Sequence, residues 1–221
     1  MPELTLFTYF RSSAAYRVRI VLALKAIRHR KKFVHLLRAG GEHRHPDYLA
    51  LNPQGLTPTL AVDSHVLTQS LAIIEYLDEC YPQPPLLPPD PIERAHVRAM
   101  AQTIACDVHP LNNLRVLRYL ELRFQIAQAE RNTWYCHWVE EGFNALEKLL
   151  MKSDISNRYC SGDAITMADV CLVPQVYNAY RFNVDMTVFP RIRAVYDRCM
   201  ELEAFHQAAP EQQEDFAEPN I

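Results

Sequence analysis

No two cysteines in this chain stand as a C-x-x-C or C-x₂₋₄-C pair. The six present, Cys80, Cys106, Cys136, Cys160, Cys171 and Cys199, are scattered. That spacing argues against a zinc ribbon or a built-in redox dithiol, and no metal site is expected. Scattered cysteines read as small core residues of a protein kept in a reducing compartment. Long apolar runs are missing, so no segment is expected to span a bilayer. Met1-Pro2-Glu3 brings no basic leader before an apolar core, which reads as a cytoplasmic protein without a secretory signal. Charge of one sign is not in excess: 23 Lys and Arg stand against 26 Asp and Glu, for a net charge of −3. Neither nucleic acid nor an anionic membrane is an expected partner. Internal repeats and long coiled-coil heptads are absent as well.

What is present is a 221-residue chain, long enough for one large domain or two small ones. Residues 1–81 mix strand and helix signals, whereas 92–205 read almost entirely as helix. Between them, 82–91 holds six prolines in ten residues, which predicts a stiff extended linker and a domain boundary. The first part reads as strand 4–10, helix 15–26, strand 32–37, loop 38–56, strands 59–62 and 65–68 joined by a tight turn at Asp63-Ser64, and helix 70–80. Its opening β-α-β unit favours parallel pairing of those two strands. In the second part, Val97, Met100, Ala101, Ile104 and Val108 keep helical spacing, as do Trp138, Phe143, Leu146, Leu149 and Leu150. Thr166 with Asp169 three residues on reads as a helix start. Pro190 opens a last helix to about Leu202, and the polar tail from Pro210 is expected to fray.

Three segments of the first part carry chemistry. Ser12-Ser13 stands where a strand hands over to a helix, an electropositive spot that suits a phosphate, a carboxylate or a thiolate, or that simply caps the helix. Thr57-Pro58, just before a strand, is a candidate cis bond; such a bond would leave the backbone of Thr57 free to pair with an extended peptide. Gln69-Ser70 opens a second apolar helix and suits a carboxylate. Together they describe a site for a small peptide that carries a thiol. The basic runs Arg28-His29-Arg30-Lys31-Lys32 and His43-Arg44-His45 read as solvated faces. The 38–47 loop is a candidate for the mouth of the site.

These segments resemble the cytosolic glutathione transferases, specifically the zeta class with its maleylacetoacetate isomerases. The family motif Ser-Ser-Cys-x-Trp-Arg-Val-Arg-Ile stands here as Ser12-Ser13-Ala14-Ala15-Tyr16-Arg17-Val18-Arg19-Ile20. Ala50-Leu51-Asn52-Pro53-Gln54-Gly55, the run Gln69 to Leu77, Leu87-Pro88, Met167-Ala168-Asp169, Leu172-Val173-Pro174-Gln175-Val176 and Arg181-Phe182 are also family-like. The likeness covers nearly the whole chain. It implies an α+β/α two-domain fold: a thioredoxin-like domain over 1–81, the linker 82–91, and an all-helical domain over 92–221.

The resemblance also implies glutathione as cofactor, a small dicarboxylate as substrate and a homodimer as the assembly. Ser12 would meet the thiolate, since the first serine of the motif matches the family's sulfur-contacting position, and Ser13 would add a contact. Thr57, before Pro58, would bind the cysteinyl part. Gln69 and Ser70 would take the γ-glutamyl carboxylate, and Gln54 the glycyl end. Arg11 and Arg181, with Arg115 as a weaker candidate, would hold substrate carboxylates. His109 and Asn113 would contact substrate or glutathione. The implied reaction converts maleylacetoacetate to fumarylacetoacetate: the thiolate adds to the conjugated double bond, the bond rotates, and elimination returns the thiol. Ala14 replaces the family cysteine and Tyr16 the tryptophan, so the segment offers no thiol of its own and the sulfur must arrive with the cofactor. The alternatives are maleylpyruvate isomerisation, a general transferase acting on small α-halo acids, and a non-catalytic transferase-like module.

Overall fold

The computed structural model describes residues 2–152 and 158–217. Residues 1–85, together with the segment from Leu202 onward, form one unit, and residues 86–201 form a second. The first unit contains β1 (Leu4–Thr8), α1 (Ser13–Leu24), β2 (Arg30–Phe33), α2 (Pro46–Leu51), β3 (Thr59–Val62), β4 (His65–Thr68) and α3 (Ser70–Cys80). Its sheet has the order β2-β1-β3-β4. The β1–β2 pair is parallel, as expected, and β1–β3 and β3–β4 are antiparallel. Successive residues of β1 face opposite ways. Thr8 Oγ1 accepts a hydrogen bond from Arg19 of α1 at 3.2 Å. Its neighbour Phe7 packs edge-on against Tyr48 of α2, with ring centroids 6.1 Å apart. So α1 lies on one face of the sheet and α2 on the other. Val18, Ile20, Val21 and Leu22 bury α1 in the core.

Two expectations for this unit are corrected. The second strand lies at 30–33, not 32–37, and all four of its residues are exposed. It is an edge strand fixed by backbone pairing with β1, so its position leaves no apolar signature; the run from Val34 has left the ladder but for one bond, Val34 N–H to Thr8 O at 2.8 Å. The 38–56 stretch is not all loop either. Pro46 at the first helical turn, with Asp47 beside it, starts α2.

The second unit contains α4 (Pro91–Gln102), a π-helical turn at Thr103–Val108, α5 (Leu114–Phe124), α6 (Gln128–Lys152), α7 (Met167–Arg181) and α8 (Pro190–Met200). Its helix starts are well satisfied. Asp90 Oδ1 accepts the N–H groups of Ile92 and Glu93. Thr166 and Asp169 form the expected capping box at α7. The fully buried Asp169 carboxylate also accepts the Cys160 N–H at 2.8 Å. At α8, Pro190 removes one orphan N–H, and Glu147 of α6 accepts those of Arg191 and Ile192 at 2.8 and 2.9 Å. The unit boundary falls inside the proline-rich stretch: Leu86 is buried, and its carbonyl accepts the Met167 N–H at 2.9 Å.

The expected helical domain of 92–221 is corrected at its end, and so is the fraying from Pro210. A short helix α9 (Glu203–Ala208) and the 3-10 turns Pro210–Gln212 and Glu214–Ala217 belong to the first unit. Arg19 Nε donates to Ala208 O at 2.9 Å, and the Tyr16 hydroxyl donates to Phe205 O at 3.2 Å. The Phe10 N–H donates to Asp215 Oδ2 at 2.9 Å. The buried Gln213 amide donates to Gln207 O and Ala209 O. The segment is polar yet ordered, because its polar side chains are matched by backbone groups. Residues 218–221 lie outside the described residues.

Candidate active site

Ser12 is the N-cap of α1: its Oγ accepts the Ala15 N–H at 3.2 Å. The same hydroxyl donates to Thr57 O at 3.4 Å, which joins the first helix start to the turn before β3. Ser12 is half-buried, whereas Ser13 is buried. The Thr57-Pro58 bond is cis, as expected. Thr57 is buried, and its Oγ1 has no partner among the described residues. The turn is braced from α2: the Tyr48 hydroxyl and the Asn52 Nδ2 both donate to Leu56 O, at 2.7 and 2.8 Å.

At the second helix start, Gln69 has a positive φ of 68°, and its Nε2 donates to Gln54 Oε1 at 2.8 Å. The two glutamines meet, although fifteen residues separate them in sequence. Ser70 is buried, and its Oγ accepts from Arg17 Nη1 at 3.2 Å. Arg17 is the residue that the sequence reading of the site missed. Its signal was present: an arginine inside a helix whose neighbours Tyr16, Val18, Ile20, Val21 and Leu22 are all apolar.

The electrostatics of both starts favour an anion. Neither α1 nor α3 has an acid in its first turn. The starts of α5 and α8 lack one as well, whereas α2, α4, α6, α7 and α9 carry Asp47, Glu93, Glu130, Asp169 and Glu203 there. The positive ends of α1 and α3 are therefore uncompensated from within their own helices. Arg11 is half-buried beside Ser12, with its guanidinium 5.7 Å from the centroid of the Phe10 ring.

The remaining expected site residues belong to the second unit. His109 follows the π-helical turn, is half-buried, and donates its N–H to Ile104 O at 2.9 Å. Asn113 caps α5: its Oδ1 accepts the Arg115 N–H at 3.0 Å, so only its amide nitrogen is left to act as donor to a ligand. Arg115 is exposed on the first turn of that helix. Arg181 closes α7, exposed, and donates from Nη1 to Asn178 Oδ1 at 2.9 Å. Its guanidinium lies 5.5 Å from the Phe182 ring centroid, and that ring stacks on Tyr135 at 3.6 Å. Burial pushes the Tyr135 hydroxyl well above its usual range, while the nearby Arg181 charge opposes the shift.

All six cysteines are free. Burial raises the thiols of Cys136, Cys160 and Cys199, so none of these three is poised as a thiolate. No cluster of three or more histidine, cysteine or acidic side chains suited to a metal occurs among the described residues. No helix among them is long and apolar enough to cross a membrane.

The donor set of the first unit fits glutathione. One acid-free helix start offers a hydroxyl to a thiolate, the other offers a hydroxyl and an amide to a carboxylate, and Thr57 lies between with a hydroxyl that has no partner among the described residues. Models of the glutathione S-transferase N-terminal domain and C-terminal domain match residues 11–80 and 138–198. A probable maleylacetoacetate isomerase of Vibrio cholerae is 49% identical over 215 residues, covering 97% of this chain and 99% of that protein. The chain belongs to the glutathione S-transferase family, zeta class. Among solved structures of the family, a holo maleylpyruvate isomerase described as a bacterial zeta-class transferase superposes with a TM-score of 0.94 at 46% identity, covering 96% of this chain and all of that one. A maleylacetoacetate isomerase of Methylobacterium extorquens AM1, with malonate and glutathione bound, superposes with a TM-score of 0.91 at 36% identity, covering 95% and 97%. In the terms of the family, the first unit is the thioredoxin-like domain and the second is the helical one.

Proposed function

We propose that this transferase catalyses the glutathione-dependent cis–trans isomerisation of maleylacetoacetate to fumarylacetoacetate, a step of tyrosine and phenylalanine breakdown. The observation that carries the reading is the pair of acid-free helix starts at Ser12 and Ser70, joined through Thr57 and Arg17, in a chain whose relatives bear the name of that isomerase. When bound, glutathione supplies a thiolate that adds reversibly to an activated double bond, lets it rotate, and is returned unchanged. Ser12 donates its hydroxyl to that sulfur in place of Thr57 O, and the α1 N–H groups, Ser13 among them, favour the anion. The backbone of Thr57 pairs with the extended cysteinyl part. The Ser70 hydroxyl and the Gln69 amide take the γ-glutamyl carboxylate, and Gln54, already bonded to Gln69, reaches for the glycyl end.

The substrate is a dicarboxylate, and Arg11, next to Ser12, is the first candidate to hold one end. On the strength of the resemblance, Arg181 takes a substrate carboxylate, and His109 and Asn113 contact substrate or glutathione. The protein works in the cytoplasm as a homodimer, a state that size-exclusion chromatography tests.

Maleylpyruvate is the second reading, favoured by the very close superposition on a maleylpyruvate isomerase. One assay separates the readings: incubation with each cis substrate, with and without glutathione, while free thiol is followed. Glutathione-dependent loss of the cis isomer without thiol consumption supports isomerisation, and the faster substrate names it. Thiol consumption with α-halo acids alone would favour a general transferase. No turnover and no glutathione binding would leave a non-catalytic module.

A further inference from the structure

The C-terminal end of α7 is pinned from several sides. Phe182 caps the helix, and Asn183 after it takes a positive φ of 57°. The Val184 N–H donates to Ala179 O and the Asn183 N–H to Tyr180 O, at 3.0 and 3.1 Å, which is the Schellman closure of a helix. The Phe182 ring lies nearly parallel to that of Tyr135 from α6, and the Phe182 carbonyl accepts the Cys136 thiol at 3.5 Å. Arg181 extends from this pinned backbone.

Asn178 serves the same frame twice. Its carbonyl accepts the Phe182 N–H at 3.0 Å, and its side-chain Oδ1 accepts Arg181 Nη1 at 2.9 Å. The two side chains stand three residues apart, on one face of the helix. Asn178 is buried, whereas Arg181 is exposed. Asparagine is a poor residue for a helix interior, and Val173, Val176 and Ala179 around it are buried and apolar. Packing alone does not call for an amide there. Its grip on Arg181 does: one edge of the guanidinium is bonded to Asn178, and its centre lies 5.5 Å from the centroid of the Phe182 ring. A fork oriented beforehand loses less rotamer freedom when a carboxylate arrives. The kind of acceptor matters too. An amide oxygen orients the guanidinium without neutralising it, whereas a carboxylate in its place would compete with an incoming anion.

We propose that Asn178 is a positioning residue for the substrate: it holds Arg181 beside the Phe182 ring with its charge intact, so that the fork is set for one carboxylate of a dicarboxylate. This role rests on the reading of Arg181 as the holder of a substrate carboxylate.

Malonate, a small dicarboxylate, can be titrated calorimetrically into the full chain saturated with glutathione. Asn178→Ala should weaken malonate about five- to tenfold, the scale of one hydrogen bond. Asn178→Asp keeps the size and the acceptor oxygen, and carries the test if the alanine variant fails to fold. It should weaken malonate at least as much, because its own carboxylate engages the charge that malonate needs. Both variants should bind glutathione as the wild type does. In an Arg181→Ala background, itself weak for malonate, Asn178→Ala should have no further effect. KM for maleylacetoacetate should rise in step with the Kd for malonate, by a larger factor than kcat falls. An asparagine that only supports the fold predicts otherwise: malonate and glutathione affected alike, and the Asp variant close to the wild type. Either of those results overturns the proposal. So does malonate that fails to bind the wild type, or that binds Asn178→Ala or Arg181→Ala as tightly as the wild type. If maleylacetoacetate is not isomerised while the malonate affinities follow the expected pattern, the isomerase reading falls and the role of Asn178 stands.

Discussion

Arg17 Nη1, from within α1, donates to the hydroxyl of Ser70, the first residue of α3, across 3.2 Å. A guanidinium only donates, so the Ser70 oxygen must accept, and its proton is left to point elsewhere. The fully buried arginine thus sets the hydroxyl as a donor towards an incoming carboxylate. Ser70→Ala should raise KM for glutathione about tenfold with little change in kcat, the equivalent of losing one hydrogen bond to a charged group of about 1.5 kcal/mol. Arg17→Lys should raise the same KM by a smaller factor. In the double variant the two effects should fall short of their sum, because they share one contact. Full additivity would mean that Arg17 does not act through Ser70.

Capping and catalysis can be separated at Ser12. Replacing an N-cap serine with glycine costs only a few tenths of a kcal/mol, whereas alanine costs about 1 kcal/mol. Both variants should lose isomerase activity by one to two orders of magnitude, on the scale of a hydrogen bond to a charged atom worth about 1.5–3 kcal/mol. Only the alanine variant should also show a clear drop in melting temperature. An active Ser12→Gly enzyme would remove Ser12 from the reaction.

Gly142 of α6 has no room for a side chain: a Cβ there would run into Val108 Cγ2 at the end of the π-helical turn. In an open helix the change to alanine would gain about 1 kcal/mol. Here overpacking costs about 1–3 kcal/mol and outweighs that gain. Gly142→Ala should therefore lower stability in urea unfolding. Adding Val108→Ala should recover part of the loss, although that change alone is destabilising. If Gly142→Ala stabilises the protein, the close approach is not a constraint.

The carboxyl of Asp215 is held above its ordinary value of 3.8 by burial, against the pull of its hydrogen bonds and of Arg19 and His35. The folded protein then binds this proton more readily than the unfolded chain does. Its contribution to stability is therefore most favourable at low pH and falls as pH rises from 3.8 through the folded value. Asp215→Asn keeps an oxygen to accept the Phe10 N–H but does not titrate. Urea unfolding of both proteins at several pH values should show the variant gaining on the wild type as pH rises through that window. A difference that stays flat, or runs the other way, would contradict the shift.

Much of the fold could be read before the structure was seen. Apolar patterning and turn chemistry located β1, β3, β4, α1 and α3, and the capping box located the start of α7. The elements that were missed share a cause. β2 is exposed along its whole length, α2 is six residues long inside a polar loop, and the last turns are rich in Glu, Gln and Asp. β2 and the last turns are specified by hydrogen bonds to groups distant in sequence and α2 by bonds to the turn that follows it, and hydrophobic periodicity registers neither. The same holds in the site. The places of Ser12, Gln69 and Ser70 at helix starts, and of Thr57 before a cis proline, were legible. The Gln54–Gln69 bond and the reach of Arg17 to Ser70 depend on tertiary placement.

The docking of α9 and the turns after it on the first unit affects how the protein is made. Synthesis runs from the N-terminal side, and the 116 residues of the second unit, 86–201, emerge before the segment from Leu202 that packs with the first. Until then Arg19 lacks the Ala208 carbonyl, Tyr16 lacks the Phe205 carbonyl and the Phe10 N–H lacks the Asp215 carboxylate. The thioredoxin-like unit thus waits, incomplete on the ribosome, while the helical unit has its whole sequence available to fold.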